Sequence, residues 1–340
     1  MTRMETQMDG AMIERHEQLP LARRSRRSLA PLLRRYGTSL FLLLLIAGFT
    51  AGNPHFLSLR NLSNILTDVS ICGVIAIGMT FVIISGGVDL AVGSVLGFAS
   101  MGAAWVVKVS GLGLEPSWLY ALAAACALGT FAGYIHGKAT TLFGVPAFIT
   151  TLGGLSAWRG ATLLINDGGP INGFDLAYRW WGNGAVAGVP IPVILFALVA
   201  GAGYIVQRYT RYGRHIYAIG GNAEAARLSG LDVGGLTTSV YVLVGLLSGL
   251  AGFMLSARLG SAEAVAGTGY ELRVIASVVI GGASLSGGSG GVGGTIVGAL
   301  LIGVLGNGLV MMGVNSYYQE IVIGLIIVLA VGLDRFVRRR

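Results

Sequence analysis

Long apolar runs, each close to the length of a bilayer crossing, recur along this chain between short polar or glycine-rich breaks. A helix needs about 20 mostly apolar residues to span a hydrocarbon core about 30 Å thick. Ten stretches qualify: Tyr36–Gly52, Ile65–Ile84, Leu90–Val107, Trp118–His136, Ala147–Ile165, Val189–Gln207, Thr237–Ala257, Leu272–Leu285, Val292–Met312 and Glu320–Phe336. The eighth is short and interrupted by glycine, and non-helical backbone at membrane depth stands only where protein or water covers it. The pattern predicts an all-α polytopic membrane protein with about ten transmembrane helices.

Composition removes the alternatives. Of 340 residues, 54% are apolar or aromatic and 11% charged, 55 glycines come on top, and the mean hydropathy is +0.75. An ordinary soluble domain is about 45–50% apolar and about 25% charged, so the surplus cannot hide in one water-soluble core. Disorder needs low hydrophobicity, and the glycines keep no collagen period. Cys72 and Cys126 both lie in apolar runs and offer no disulfide framework or Cys-rich metal site.

Charge adds topology. The net charge is +8, yet the basic residues are not interleaved with aromatics as on a nucleic-acid surface. With the N-terminus inside, the cytoplasmic segments are 1–35, 85–89, 137–146, 208–236, 286–291 and 337–340. They hold 17 of the 23 Lys and Arg, counting Arg335 at the inner edge, as the positive-inside rule requires. The expected organisation is a basic N-terminal segment (1–35), a transmembrane domain (36–336) with a cytoplasmic loop at 208–236, and a basic tail (337–340). The charged ends also suit anionic membrane lipid. Leu40–Gly52 resembles a signal-peptide core, but its basic lead is too long for one, so it is read as a retained first helix. A weak likeness between Ile83–Ser94 and Ile280–Gly288 points to two five-helix halves in inverted repeat.

Catalytic constellations are missing from the sequence. His16, His55, His136 and His215 form no ligand pair, and there is no HExxH, GxSxG or Walker A loop, since Gly137-Lys138 is followed by Ala139. No cofactor or metal is expected. Gly288–Gly293 satisfies GxGxxG, but lacks the acidic residue about 20 positions on that a dinucleotide site needs; a turn between close-packed helices explains it. Asp89 has two readings: a functional carboxylate at a membrane edge, or an N-cap for a helix starting at Leu90. Asp68 and Glu320 read as residues at wet outer ends. Gly220–Leu231 reads as a short helix in the longest cytoplasmic loop, capped by Asn222, with Glu224 in its first turn and Gly230 as its stop. Such a helix is too short to stand alone, so it must dock.

Several of these segments together resemble a family. Ile75–Thr80 with Ser85–Ser94, which contains Gly86, Asp89, Gly93 and Ser94, is similar to the signature of ribose/xylose-type ABC transporter permeases. So are Val145–Gly153, which contains Pro146, and the loop Gly221–Leu231; the likeness runs from about Asn61 to Leu333. It implies a permease subunit that pairs with a second copy or a related permease, is driven by a cytoplasmic ABC ATPase, and receives sugar from a periplasmic binding protein. The ATPase would couple through Asn222, Glu224, Ala225, Ala226, Arg227 and Gly230, with Ala225 and Ala226 small where a partner presses. Arg60, Arg179 and Arg258, on otherwise weakly charged outer loops, are candidate contacts for the binding protein. The rival reading is a secondary transporter driven by an ion gradient, which needs ionisable residues in mid-span.

Overall fold

The computed structural model describes residues 30–315 and a scatter of residues between 317 and 328. Its helices are α1 (Ala30–Gly52), α2 (Leu59–Ile84), α3 (Val92–Lys108), α4 (Ser117–Leu142), α5 (Ala147–Leu164), α6 (Leu176–Asn183), α7 (Ile191–Tyr209), α8 (Arg211–Gly221), α9 (Ala223–Leu228), α10 (Val233–Leu259), α11 (Tyr270–Ile280) and α12 (Val292–Met311). The only strands among the described residues are two-residue pieces: β1 (Ile171–Asn172) pairs antiparallel with β4 (Ser261–Ala262), and β2 (Ala185–Val186) with β3 (Val189–Pro190). The chain divides into two compact units, Met1–Gly37 and Thr38–Arg340. Every contact named below lies within the second.

The hydropathy pattern and the helices coincide closely. Five helices (α2, α4, α7, α10 and α12) are long and apolar enough to cross a membrane, and α3 and Gly37–Gly52 are shorter apolar helices. Of the tenth expected span only Ile321, Val322, Gly324, Leu325 and Val328 are among the described residues, and Glu320 lies outside them. The eighth is trimmed to the eleven residues of α11, because Gly281 and Gly282 (φ +95°) end it. Two helices fall where loops were expected: α6 in the connection before α7, and α8 at the start of the 208–236 loop.

From Ile71 to Ile84 α2 is apolar on every side and sits at the centre, as such a segment must. Val74, Ile75, Ile77 and Met79 are inaccessible and pack with Tyr241, Val244 and Met254 of α10. α4 lies along α10 through glycines four apart. A Cβ on Gly129 would fall 2.2 Å from Gly245 O, and one on Gly133 would fall 2.1 Å from Tyr241 O. The two backbones therefore touch, as small residues allow in membrane helices.

The packing has an internal echo. α3 packs on α4 and α10, as α11 packs on α12 and α2; α4 follows α10 as α12 follows α2; and α2 faces α10. The loop likeness noted in the sequence has a different origin. Gly288 N–H donates to Ile84 O at 2.9 Å, so the 85–91 and 281–291 loops lie together at one end of the bundle. Loops equivalent under an inverted repeat lie at opposite ends. The likeness of Ile83–Ser94 to Ile280–Gly288 is not its trace.

Candidate functional site

The short helix expected at 222–230 forms, and α8 leads into it. Thr210 caps α8 by accepting from Gly213 N–H at 3.2 Å, and Ile216 and Ile219 bury its inner face. Asn222 joins the two helices: its N–H donates to Ala218 O, and its Oδ1 accepts from Ala225 N–H at 2.9 Å. Gly230, at φ +84°, ends α9 with its N–H on Arg227 O and that of Leu231 on Ala226 O, the glycine stop that satisfies the last carbonyls. Glu224 and Arg227 pair at 2.8 Å on the exposed face, where an ion pair contributes little. Ala225 is exposed, but Ala226 is buried within this chain. The outward apolar side chain is Leu228, 80% exposed.

α8 and α9 are mounted on a joint of bare backbone. A Cβ on Gly220 would fall 1.7 Å from Ile84 O and 2.6 Å from Gly288 N. Gly287 (φ +84°) lies against Gly220 and Gly86. Tyr217 pins the same joint, donating to Gly290 O at 2.6 Å and accepting from Gln207 Nε2 at 2.8 Å. Gln207 Oε1 in turn accepts from Val292 N–H. Burial pushes the Tyr217 phenol up, against smaller lowering by the Gln207 hydrogen bond and the Arg208 charge, so it stays a donor at neutral pH. The GxGxxG segment belongs to this joint. Helix α11 precedes it, and the strand–turn–helix of a dinucleotide site is not formed.

Asp89 lies in the break between α2 and α3 but is only 2% exposed, not a solvated carboxylate. Nor does it cap a helix from Leu90: α3 begins at Val92, its N-cap is Ala91, and no side chain caps it. Asp89 Oδ1 instead accepts from Ala91 N–H at 2.8 Å, and Oδ2 lies 3.2 Å from His136 Nδ1 of α4. Trp158 of α5 reaches the other ring nitrogen, His136 Nε2, at 2.9 Å. An indole N–H only donates, so Nε2 is bare and the imidazole proton sits on Nδ1, toward Asp89; the tautomer is assigned from this network. Thr151 of α5, five residues past the helix-entry Pro146, donates to Val88 O at 3.3 Å. Ser94 is buried, and a Cβ on Gly93 would fall 2.1 Å from Gly267 O. Arg159 donates to the carbonyls of Ala264 and Ala266, each at 2.8 Å, in the same turn. Asp89, Gly93, Thr151 and Arg159 thus join α3, α4, α5 and the 263–267 turn, whereas Gly86 (φ +88°) lies against Gly287 at the backbone joint.

At the opposite end of the bundle the three arginines separate. Arg60 and Arg179 are exposed. Arg258 is not a free rim cation: it is half-buried, with Nη1 3.6 Å from Asp68 Oδ1. Sequence reasoning missed His136 and Thr151 as partners of the signature loop, with Trp158 behind His136 and Arg159 on the 263–267 turn, because nothing local marks a partner 47 residues from Asp89.

Residues 61–331 match the family described as the permease component of the branched-chain amino acid transport system. The chain belongs to this permease family. It is 46% identical over 298 residues to the ribose import permease protein RbsC of Escherichia coli K12, covering 86% of this chain and 91% of that protein. It is 43% identical to RbsC of Bacillus subtilis 168, over 87% and 90% of the two chains. To the D-allose transport system permease protein AlsC of E. coli K12 it is 37% identical, over 90% and 93%. No solved structure matches. The permease is accordingly a multi-pass membrane protein and a transport subunit, and membership implies an ATPase and a substrate-binding protein as partners. The matched region contains the signature loop, the backbone joint and α8–α9; the first 60 residues lie outside it.

Proposed function

We propose that this chain is the translocating subunit of an ABC importer for a monosaccharide or similar small polyol in a bacterial inner membrane. Relatives named for ribose, allose and xylose support the substrate class. In this reading the chain makes ten spans with both termini cytoplasmic, beyond a basic segment 1–35, and pairs with a second copy or a related permease. It carries no nucleotide site of its own. The mutual packing of α2, α3 and α4 with α10, α11 and α12 supports two inverted halves.

The observation that carries the proposal is α9: a capped, surface-mounted helix with Leu228 bare, joined through Asn222 to the end of α8, which is seated where the 85–91 and 281–291 loops meet. Movement of an ATPase against Asn222–Gly230 reaches both loops through rigid backbone. Burying one leucine is worth about 1.5–3 kcal/mol, so Leu228→Asp should weaken binding of the ATPase subunits about 10- to 100-fold. Thermal stability of the permease should hold, because Leu228 touches little of its own chain. Unchanged affinity for the ATPase would remove α9 as the docking element. Ala226→Trp, by contrast, should disturb the seat of α9 on its own chain.

Exposed Arg60 and Arg179 remain candidates for steering the binding protein. Neutralising both should lower the uptake rate when binding protein is scarce, with recovery in excess, since rim charges act mainly on association. Uptake with the same dependence on salt and on binding-protein concentration would reject that role. A gradient-driven secondary transporter is the second reading, favoured by one observation: Asp89 and His136 form a buried titratable pair of the kind proton relays use.

A further inference from the structure

A cavity of about 320 Å³ opens between α2, the end of α10, α11 and α12, at the end of the bundle away from α8–α9. Its wall on α2 is a stripe, Asn64, Asp68 and Cys72, at the four-residue spacing that puts side chains on one helical face. At 1.5 Å per residue from Ile65, where the apolar run starts, Asp68 lies about 5 Å and Cys72 about 10 Å into the span, with the Asp68 side chain still 59% exposed to water. An ionisable side chain at such depth faces a water-filled path or the bundle interior, not lipid, and marks a functional site by default.

The polar groups of this cavity are underused. Arg258 and Asp68 stand at 3.6 Å, close enough to neutralise each other and too far for a hydrogen bond. The Arg273 guanidinium makes no hydrogen bond or ion pair with any described residue. Asn307 exchanges one pair of amide bonds with Asn61, at 2.9 and 3.0 Å, which leaves it one proton and one lone pair. Tyr270 adds an aromatic residue to the wall.

We propose that this cavity is a polyol subsite within a single permease chain, in which Asp68 and Arg273 take hydroxyls of a monosaccharide. Donors and acceptors lie on four helices around the space, and apart from Tyr270 and Cys72 the rest of the wall is aliphatic or glycine. A small ring with hydroxyls around its rim and C–H faces needs that distribution. A zwitterionic amino acid needs its charges matched at one end and an apolar remainder, whereas here the carboxylate and one guanidinium already answer each other. The subsite rests on the importer reading above and gives the sugar a stop inside the permease after release from its binding protein.

Cys72 is a native reporter, because it lines the cavity and the chain has only one other cysteine, Cys126. In the full-length chain with Cys126→Ala, in lipid nanodiscs, Cys72 would be labelled with hydroxyethyl methanethiosulfonate. The rate is read with D-ribose, with xylitol or with L-leucine present. A polyol at about four times its dissociation constant should slow labelling about fivefold, since the free fraction is 1/(1 + [L]/Kd). L-leucine should do nothing. Asp68→Asn and Arg273→Gln should each label at the same rate with and without D-ribose. Monodisperse elution shows that these variants are folded, and each variant's labelling rate is compared only with and without D-ribose, because both charges stand beside the Cys72 thiol.

Protection by L-leucine alone, protection by nothing, protection that survives both substitutions, or a Cys72 that cannot be labelled would each overturn the subsite. ATP-driven uptake with the ATPase and binding protein is scored separately. A chain that imports sugar without protecting Cys72 keeps the importer reading and loses only this site.

Discussion

Gly133→Leu should prevent stable assembly of the bundle. A Cβ at this position falls 2.1 Å from Tyr241 O and 2.9 Å from Tyr241 C, so it meets backbone that no rotamer change can move aside. Reaching ordinary contact means driving α4 and α10 apart by about 1 Å or more, and the remaining leucine atoms ask for further separation. Overpacking of a well-filled core costs about 1–3 kcal/mol, sometimes more, and domains hold only about 5–15 kcal/mol in total. Packing between helices is also the main attraction available in lipid, where the hydrophobic effect no longer drives them together. The expected result is loss of the monodisperse protein in detergent and a steep fall in membrane yield. Gly201→Leu is the control, because a Cβ there on α7 meets nothing within 4 Å. Equal yields of the two variants would show that α4 and α10 do not make this backbone contact.

Two adjacent glycines should behave oppositely. Gly220→Ala places a methyl 1.7 Å from Ile84 O, inside the joint that carries α8 and α9, whereas a Cβ on Gly221 meets nothing within 4 Å. Alanine at 220 must lift the end of α8 from the 85–91 and 281–291 loops and break the Gly288 N–H bond to Ile84 O. ATP-driven transport should fall by at least about tenfold, the equivalent of about 1.4 kcal/mol lost in the coupled state. The spans, being packed elsewhere, should still form. Gly221→Ala should transport normally and gain a little stability, since alanine is favoured over glycine within a helix by about 0.5–1 kcal/mol. Parallel uptake and thermal-unfolding measurements decide it; matching losses in both variants, or in neither, would contradict the joint.

Much of the fold was legible because lipid leaves few options. Hydropathy placed α5 and α12 to within a residue at each end, and the caps at Asn222 and Gly230 stand as local chemistry dictates. α8 was lost because its apolar residues, among them Ile216 and Ile219, alternate with arginines and glycines in a segment too polar to span. The spacing of Gly129, Gly133 and Gly137 on α4 was readable as a close-packing stripe and points to backbone contact; only its partner, α10, required the fold. The burial of Asp89 was hidden for a different reason. Its loop looks like an exposed turn in sequence, and only tertiary packing of α4 and α5 closes His136 and Trp158 over it. The same holds for Arg258, whose pairing with Asp68 joins distant helices and leaves no local trace.

Reconstitution tests the central claim most directly. The full-length chain is placed in proteoliposomes alone, or with the ATPase and sugar-binding protein of its system, and uptake of radiolabelled D-ribose is followed. The complete set should accumulate ribose when given ATP, and the chain alone should accumulate none under an imposed proton or sodium gradient. Accumulation by the chain alone, driven by a gradient and abolished by Asp89→Asn, would contradict the importer and establish the buried Asp89–His136 pair as a proton relay.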